Sequence, residues 1–338
     1  MDFLVEIARG CMPFLYFLRD IANPFLDVVF AIITHLGEET VFLVLAIFIF
    51  WCVNKREGYY VLIVGLVGTV LNQFLKLFFR VPRPWKLDPD FKIVKSAEAE
   101  AGGYSFPSGH TQNIAGTFGS IAAFNRKKWL TVGCIVIILL VAFSRMYLGV
   151  HTPLDVGVSL IIALFLIIGL HPLFETDERF EKALPFIVIG STAISSALLI
   201  YASVLLTDPS YDTEMVRGTL ENGSTLFGCT LGLILVYFID TKFVRFKTEG
   251  KWYAQIIKLV VGVIGVYAIK EGLEMPFELL FGNKYVARAA RYFLVVGFAG
   301  AVWPLTFKKF STLTIPPLDR FSEKVKGFFN KKKENNQI

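Results

Sequence analysis

Long apolar stretches recur along the chain, separated by short polar loops. A helix that spans a bilayer needs about 20 mostly apolar residues. Nine stretches meet or approach that length: 40–53, 58–79, 109–124, 129–149, 154–173, 184–206, 222–240, 253–272 and 286–306. The first and third are short, which suits tilted or partly embedded helices. Residues 1–37 follow another pattern. Glu6, Arg9, Arg19, Asp20 and Asp27 interrupt apolar residues at helical spacing, which predicts one or two amphipathic helices at the membrane interface. A tenth span within 12–36 is the alternative. The polar tail 311–338, ending in KKKENNQI, reads as a short interfacial helix followed by disorder. The expected fold is an all-α polytopic membrane helical bundle of about nine transmembrane helices with N-terminal amphipathic helices. Its expected parts are 1–37, a helical core at 38–175, additional transmembrane helices at 176–310, and a polar cytoplasmic tail at 311–338.

Composition agrees. Of 338 residues, 54% are hydrophobic and 18% charged, where an ordinary soluble domain carries roughly a quarter charged residues. The net charge is +6, but Lys and Arg sit in short clusters between apolar runs. That is a topology signal, and a nucleic-acid partner is not expected. Cys11, Cys52, Cys134 and Cys229 are far apart and form no CxxC, so neither a disulfide framework nor a zinc site follows. The basic clusters lie at 55–56, 126–128, 242–251, 308–309 and 331–333. With nine spans all fall on one side, which is then cytoplasmic with the C-terminus. The loop 171–183 is ambiguous by charge. The loop 80–107, the turn at 145–153 and the acidic loop 207–221 fall outside.

Chemistry-bearing residues collect in three places on that outer side: KLFFRVPRP (76–84), PSGH (107–110) and SRMYLGVHTPLD (144–155). Pro82 and Pro84 break the helix after Lys76. Arg83 is therefore expected to return over Lys76 on a stiff loop, so that both cations meet one anion. Taken alone, Lys76, Arg80 and Arg145 are also explained as side chains snorkelling to the interface. Ser108 stands where a helix N-cap belongs, Gly109 allows close backbone approach, and the helix N-terminus is a ready anion site. Thr152, Pro153 and Asp155 read as N-cap, N1 and N3 of a capping box. Asp155 also suits orientation of His151. Jointly the segments describe a positive cradle for a phosphate with two imidazoles, one able to attack phosphorus and one able to protonate a leaving oxygen. The loop 86–106 mixes charges with Phe91, Ile93 and Tyr104, a pattern suited to an interfacial lid.

The spacings K-x6-RP (Lys76, Arg83, Pro84), PSGH (Pro107–His110) and SR-x5-H-x3-D (Ser144, Arg145, His151, Asp155) resemble the three-part signature of the type 2 phosphatidic acid phosphatase (PAP2) superfamily. The resemblance implies a metal-independent helical phosphatase core at 38–175, with no cofactor. It implies His151 as nucleophile through a phosphohistidine, His110 as general acid and Asp155 as orienter of His151. Lys76, Arg83, Ser108, Gly109 and Arg145 would hold the phosphate, with no metal. The nine-span layout resembles glucose-6-phosphatase within the superfamily. The expected substrate is a lipid phosphate or diphosphate reached from the bilayer. A sugar phosphate is the alternative, and a lipid transporter or flippase that retains the phosphate site is a third. In the second half, Lys270, Glu271, Glu274, Glu278, Lys284, Arg288 and Arg291 crowd around the ends of the last two spans. They suit a local ion-pair network closing a hairpin, or a lid over the substrate.

Overall fold

The protein is described from a computed structural model, in which residues 2–98 and 102–320 are described. Among them the chain forms sixteen α-helices: α1 (Asp2–Gly10), α2 (Met12–Asp20), α3 (Pro24–Thr34), α4 (Glu39–Phe48), α5 (Lys55–Phe79), α6 (Pro84–Leu87), α7 (Lys95–Glu98), α8 (Gly109–Asn125), α9 (Lys128–Tyr147), α10 (Pro153–Leu170), α11 (Asp177–Leu205), α12 (Thr213–Ile239), α13 (Trp252–Gly272), α14 (Glu274–Phe281), α15 (Lys284–Gly297) and α16 (Phe307–Ser311). The outcome is the expected all-α bundle. Large apolar side chains stay exposed along the helices, among them Phe165, Ile168, Phe186, Ile189 and Ile264. Water would not tolerate so wide an apolar surface. Facing lipid, it makes this an integral multi-pass membrane protein.

Among the described residues, seven segments are long and apolar enough to cross a membrane: Lys55–Leu87, Lys128–Tyr147, Pro153–Phe174, Asp177–Leu205, Thr213–Val244, Trp252–Phe281 and Lys284–Ser311. The pair Pro24–Gly37 and Glu39–Val53, bent by 50°, makes eight if it is one broken span. The expected nine is not reached, and the shortfall falls on the two short runs. The run 40–53 is one arm of the bent pair. The run 109–124 is α8, with 17 residues. At 1.5 Å per residue that is about 26 Å, against a hydrocarbon core of about 30 Å. Its inner face also buries Thr111, Gln112, Asn113, Thr117 and Ser120. A helix packed among α5, α9 and α10 tolerates this polarity because little of it meets lipid.

The N-terminal segment forms three helices. α2 ends at Asp20, and Asn23 caps α3 by accepting from Leu26 N–H, so no continuous span runs through 12–36. α2 packs Met12, Leu15 and Leu18 against Phe91, and Tyr16 donates from its hydroxyl to Asp88 Oδ2 at 2.9 Å. Phe91 and Ile93 of the 86–106 loop thus pack with α2, while Val94 and Ala97 pack with Leu26 and Phe30 of α3. Of the tail, α16 and the residues to 320 are described; the expected disorder near KKKENNQI lies outside the described residues.

Polar loops separate to two ends of the bundle. At one end Lys55 pairs with Asp240 (2.6 Å), Arg56 with Asp177 (2.8 Å) and Arg126 with Glu175 (3.0 Å). The Lys55–Asp240 pair is largely buried, whereas the Arg126–Glu175 pair is exposed and adds little stability; the Arg56 and Arg126 pairs place the 171–183 loop beside the basic clusters. At the other end Arg80 donates to Ser210 O (3.3 Å), beside the three motif segments. The charges near α13–α15 pair locally: Arg291 with Glu274 (2.9 Å), Lys270 with Glu271 (3.0 Å), and Lys284 and Arg288 with Glu221 (2.7 and 3.3 Å).

Candidate active site

α5, the α8 N-terminus and the α9–α10 turn meet at a cavity of about 230 Å³. Lys76, Arg83, Gly109, His110, Arg145 and His151 all line it. Local structure explains each placement. α5 stops when Arg80 takes a left-handed conformation (φ 51°) and donates its N–H to Lys76 O. The chain then runs extended to Arg83, the N-cap of α6, so Arg83 returns over Lys76 as the two prolines imply. Gly149 makes the turn after α9 at φ +79°, and a side chain there would strike Phe91. Only glycine takes that φ without strain, and the turn carries His151 back toward Arg145, whose carbonyl accepts from His151 N–H at 3.2 Å.

His151 is 1% exposed. Arg83 Nη1 lies 3.0 Å from its Nε2. A guanidinium has only donors, so Nε2 is the unprotonated nitrogen and Nδ1 carries the proton. Nδ1 faces Asp155 Oδ2 at 3.4 Å. Burial and the neighbouring Arg83 and Arg145 cations hold His151 well below the ordinary imidazole range, so it is neutral. The Nε2 lone pair is thus aimed among the cations.

Asp155 sits behind the imidazole, fully buried. Both sequence readings of it hold geometrically. Its Oδ2 accepts from Thr152 N–H (2.7 Å), and Thr152 Oγ1 accepts from Asp155 N–H (3.3 Å), completing the capping box of α10. The same Oδ2 faces His151. Ser108 caps α8, its Oγ accepting from Thr111 N–H and Oγ1–H (3.4 and 3.0 Å). That hydroxyl is directed to the helix, while Gly109 and His110 line the cavity. His110 Nε2 is buried without a hydrogen-bond partner among the described residues, as an acid or base awaiting a ligand would be. Arg145 donates from Nη1 to Thr34 Oγ1 at 2.7 Å.

Arg83 is held by carbonyls as well: Nε donates to Gly103 O (3.1 Å), Nη2 to Gly102 O (2.6 Å) and Nη1 to Val150 O (2.9 Å). No group of three or more His, Cys, Asp or Glu able to hold a metal occurs among the described residues.

Several residues of the site escaped the sequence reading. Ser105 donates its Oγ–H to Asp155 Oδ2 at 2.5 Å and lies 3.4 Å from His151 Nδ1. The turn between α3 and α4 brings Gly37, Glu38 and Glu39 to the cavity. Gly37 presses on His110, where even a Cβ would lie 3.0 Å from the His110 Cβ. Asn72 and Gln112 also line the cavity. Polar amides inside apolar spans were the available signal for the last two; Ser105 and the 37–39 turn carry no sequence signal of their own. A hydrogen bond to a charged group contributes about 1.5–3 kcal/mol. Ser105→Ala is therefore expected to lower kcat about tenfold or more with KM little changed, and Ser105→Thr to restore part of it, measured as phosphate release at saturating substrate.

The fold and site define a polytopic membrane protein with a cationic, histidine-bearing cavity at one end of its bundle. Residues 56–179 match the model of the PAP2 superfamily, and residues 224–314 that of the PAP2 superfamily phosphatase, transmembrane extension. The chain is similar to phosphatidylglycerophosphatase B of Bacillus subtilis, 33% identical over 163 residues, which are 44% of this chain and 76% of the relative. It is also similar to a probable sphingosine-1-phosphate phosphatase of Dictyostelium discoideum, 26% identical, covering 71% of this chain and 60% of the relative. The third is sphingosine-1-phosphate phosphatase 1 of mouse, 30% identical, covering 51% of this chain and 41% of the relative. The chain thus spans less than two thirds of the Dictyostelium and mouse relatives. No solved structure matches it significantly. The chain belongs to the PAP2 superfamily.

Proposed function

We propose that this protein is an integral-membrane phosphatase that hydrolyses a lipid phosphate or diphosphate through a phosphohistidine, without a metal. The observation that carries the reading is the convergence of His151 Nε2, His110 and the cations of Lys76, Arg83 and Arg145 on one cavity. His151 Nε2 attacks phosphorus, forming the P–N bond as the P–O bond to the leaving group breaks. Burial and the Arg145, Lys76 and Arg83 cations hold His110 well below the ordinary imidazole range; a bound phosphate dianion offsets those cations, so His110 takes up a proton with the substrate and gives it to the leaving oxygen. Water then attacks the phosphohistidine, His110 takes the water's proton, and His151 is restored as phosphate departs. Lys76, Arg83, Arg145 and the backbone at Ser108–Gly109 offset the charge on the phosphoryl oxygens. Asp155, held by Ser105 and Thr152, keeps the His151 proton on Nδ1. Relatives named phosphatidylglycerophosphatase and sphingosine-1-phosphate phosphatase support a lipid phosphate as substrate. A cavity at the end of several spans suits a lipid whose chains remain in the bilayer.

The test compares kcat/KM in mixed micelles for phosphatidic acid, a sphingoid phosphate, an isoprenoid diphosphate and glucose 6-phosphate, with EDTA present. At least one lipid is expected to be turned over far better than the sugar phosphate, unaffected by the chelator. Glucose 6-phosphate matching every lipid supports the sugar-phosphatase alternative. Strict dependence on added Mg²⁺ contradicts the metal-free mechanism. Loop charges support an active site on the extracytoplasmic face, with the basic end cytoplasmic. In a background without the native cysteines, Lys95→Cys is expected to react with an impermeant maleimide in intact cells and Lys127→Cys only after permeabilisation; the opposite pattern reverses the orientation.

A further inference from the structure

The cavity that holds the three cations also presents an acid. The turn between α3 and α4 brings Glu38 and Glu39 to its wall. Glu38 is engaged by His35 Nδ1. Glu39, exposed at the cavity wall, has no hydrogen bond or ion pair among the described residues, and Lys76 is the cation that acts on its charge. A carboxylate beside a phosphate site repels every purely anionic ligand, and the repulsion grows with each added negative charge. It becomes favourable when the ligand carries a cation close to its phosphate.

A second observation points to the same kind of ligand. Gln112, one helical turn into α8, is 2% exposed and lines this cavity. Neither its amide nitrogen nor its amide oxygen has a partner among the described residues. A buried amide left unpaired is costly, and a polar group on a bound ligand removes that cost. Glu39 and Gln112 together ask for a molecule with a cationic donor and a hydroxyl within a few bonds of its phosphate.

We propose that Glu39 and Gln112 form a subsite for the ammonium and hydroxyl of a long-chain 2-amino-alcohol 1-phosphate, which selects zwitterionic phosphomonoesters over diphosphates at the His151 site. This rests on the phosphatase reading above. In such a molecule the amine stands two carbons from the ester oxygen, so one small cavity holds both charges. The ammonium pairs with Glu39 while the phosphate meets Lys76, Arg83 and Arg145. The amide of Gln112 meets the hydroxyl. A diphosphate instead brings further negative charge toward Glu39.

The full-length protein in mixed micelles is assayed on three lipids of equal chain length: a C18 2-amino-1,3-diol 1-phosphate, the C18 alkyl 1-phosphate without the amine, and the C18 alkyl diphosphate. Wild type is expected to favour the amine-bearing lipid by about tenfold or more in kcat/KM over each of the others, as one charge-assisted contact allows. Glu39→Gln is expected to remove most of that preference, by lowering turnover of the amine-bearing lipid and not of the alkyl phosphate. Glu39→Asp, which keeps the charge, is expected to retain part of it. The inference is overturned if wild type treats amine and alkyl phosphates alike, or if Glu39→Gln slows both by one factor, as a carboxylate that only balances Lys76 would. If none of the three is hydrolysed while phosphatidic acid or an isoprenoid diphosphate is, this inference is overturned and the phosphatase reading stands; if those two are also left intact, that reading falls with it.

Discussion

His151→Ala is expected to release phosphate at least about 10⁴-fold more slowly than wild type on every substrate, since loss of a nucleophile typically costs that much or more. The expectation rests on position. Nε2 of His151 is the unprotonated imidazole nitrogen directed at the cations, held so by Arg83 on one side and Asp155 on the other. His110 lines the same cavity, but among the described residues no carboxylate is hydrogen-bonded to it to fix its tautomer, so it is not expected to replace His151 as nucleophile. The measurement is phosphate release by purified protein, paired with rapid acid-free quenching to look for a ³²P-labelled, base-stable and acid-labile adduct in wild type. The variant is expected to lack both turnover and adduct while still binding vanadate, because the cradle cations remain. Near-normal turnover by the variant would refute the mechanism.

His110→Ala separates the two imidazoles. A positioned general acid contributes about 10²–10⁴-fold when the leaving oxygen needs a proton. A lipid alkoxide needs one; a nitrophenolate does not. The variant is therefore expected to lose about 10²-fold or more on a lipid phosphomonoester and much less on an aryl phosphate, with the phosphohistidine accumulating where its hydrolysis becomes slow. Equal loss on both substrates would assign His110 to binding rather than to proton transfer. Gly37 gives an independent handle, because it packs directly on His110: displacement of that ring from the α3–α4 turn acts on the same step without removing the imidazole.

Much of the site was legible as sequence because its parts are local motifs. Thr152-Pro153-Leu154-Asp155 specifies a helix start, and the start forms as a complete capping box. Pro82 and Pro84 specify a return after α5, and Arg83 comes back to Lys76. What stayed hidden were residues whose role depends on a distant neighbour. Ser105 looks like any loop serine until the fold sets its hydroxyl 2.5 Å from Asp155, fifty positions away. Glu39 reads as the polar start of a span until the bend between α3 and α4 turns it to the cavity.

Sequence alone determined the membrane character, the main apolar helices, the separation of basic loops from motif loops, and six residues that line the cavity, Lys76, Arg83, Gly109, His110, Arg145 and His151, since each follows from hydropathy, from breaker and capping chemistry, or from the family signature. The span count did not follow, because hydropathy measures composition, whereas crossing a bilayer requires length and a lipid-facing surface. α8 is short and polar within, and only its neighbours α5, α9 and α10 make that permissible. The tertiary structure alone decided which nitrogen of His151 is presented, since that turns on the reach of Arg83 across the cavity. It alone placed an acid and an unpaired amide beside the phosphate cradle, because contacts between distant segments are set by packing and leave no period or spacing in the chain.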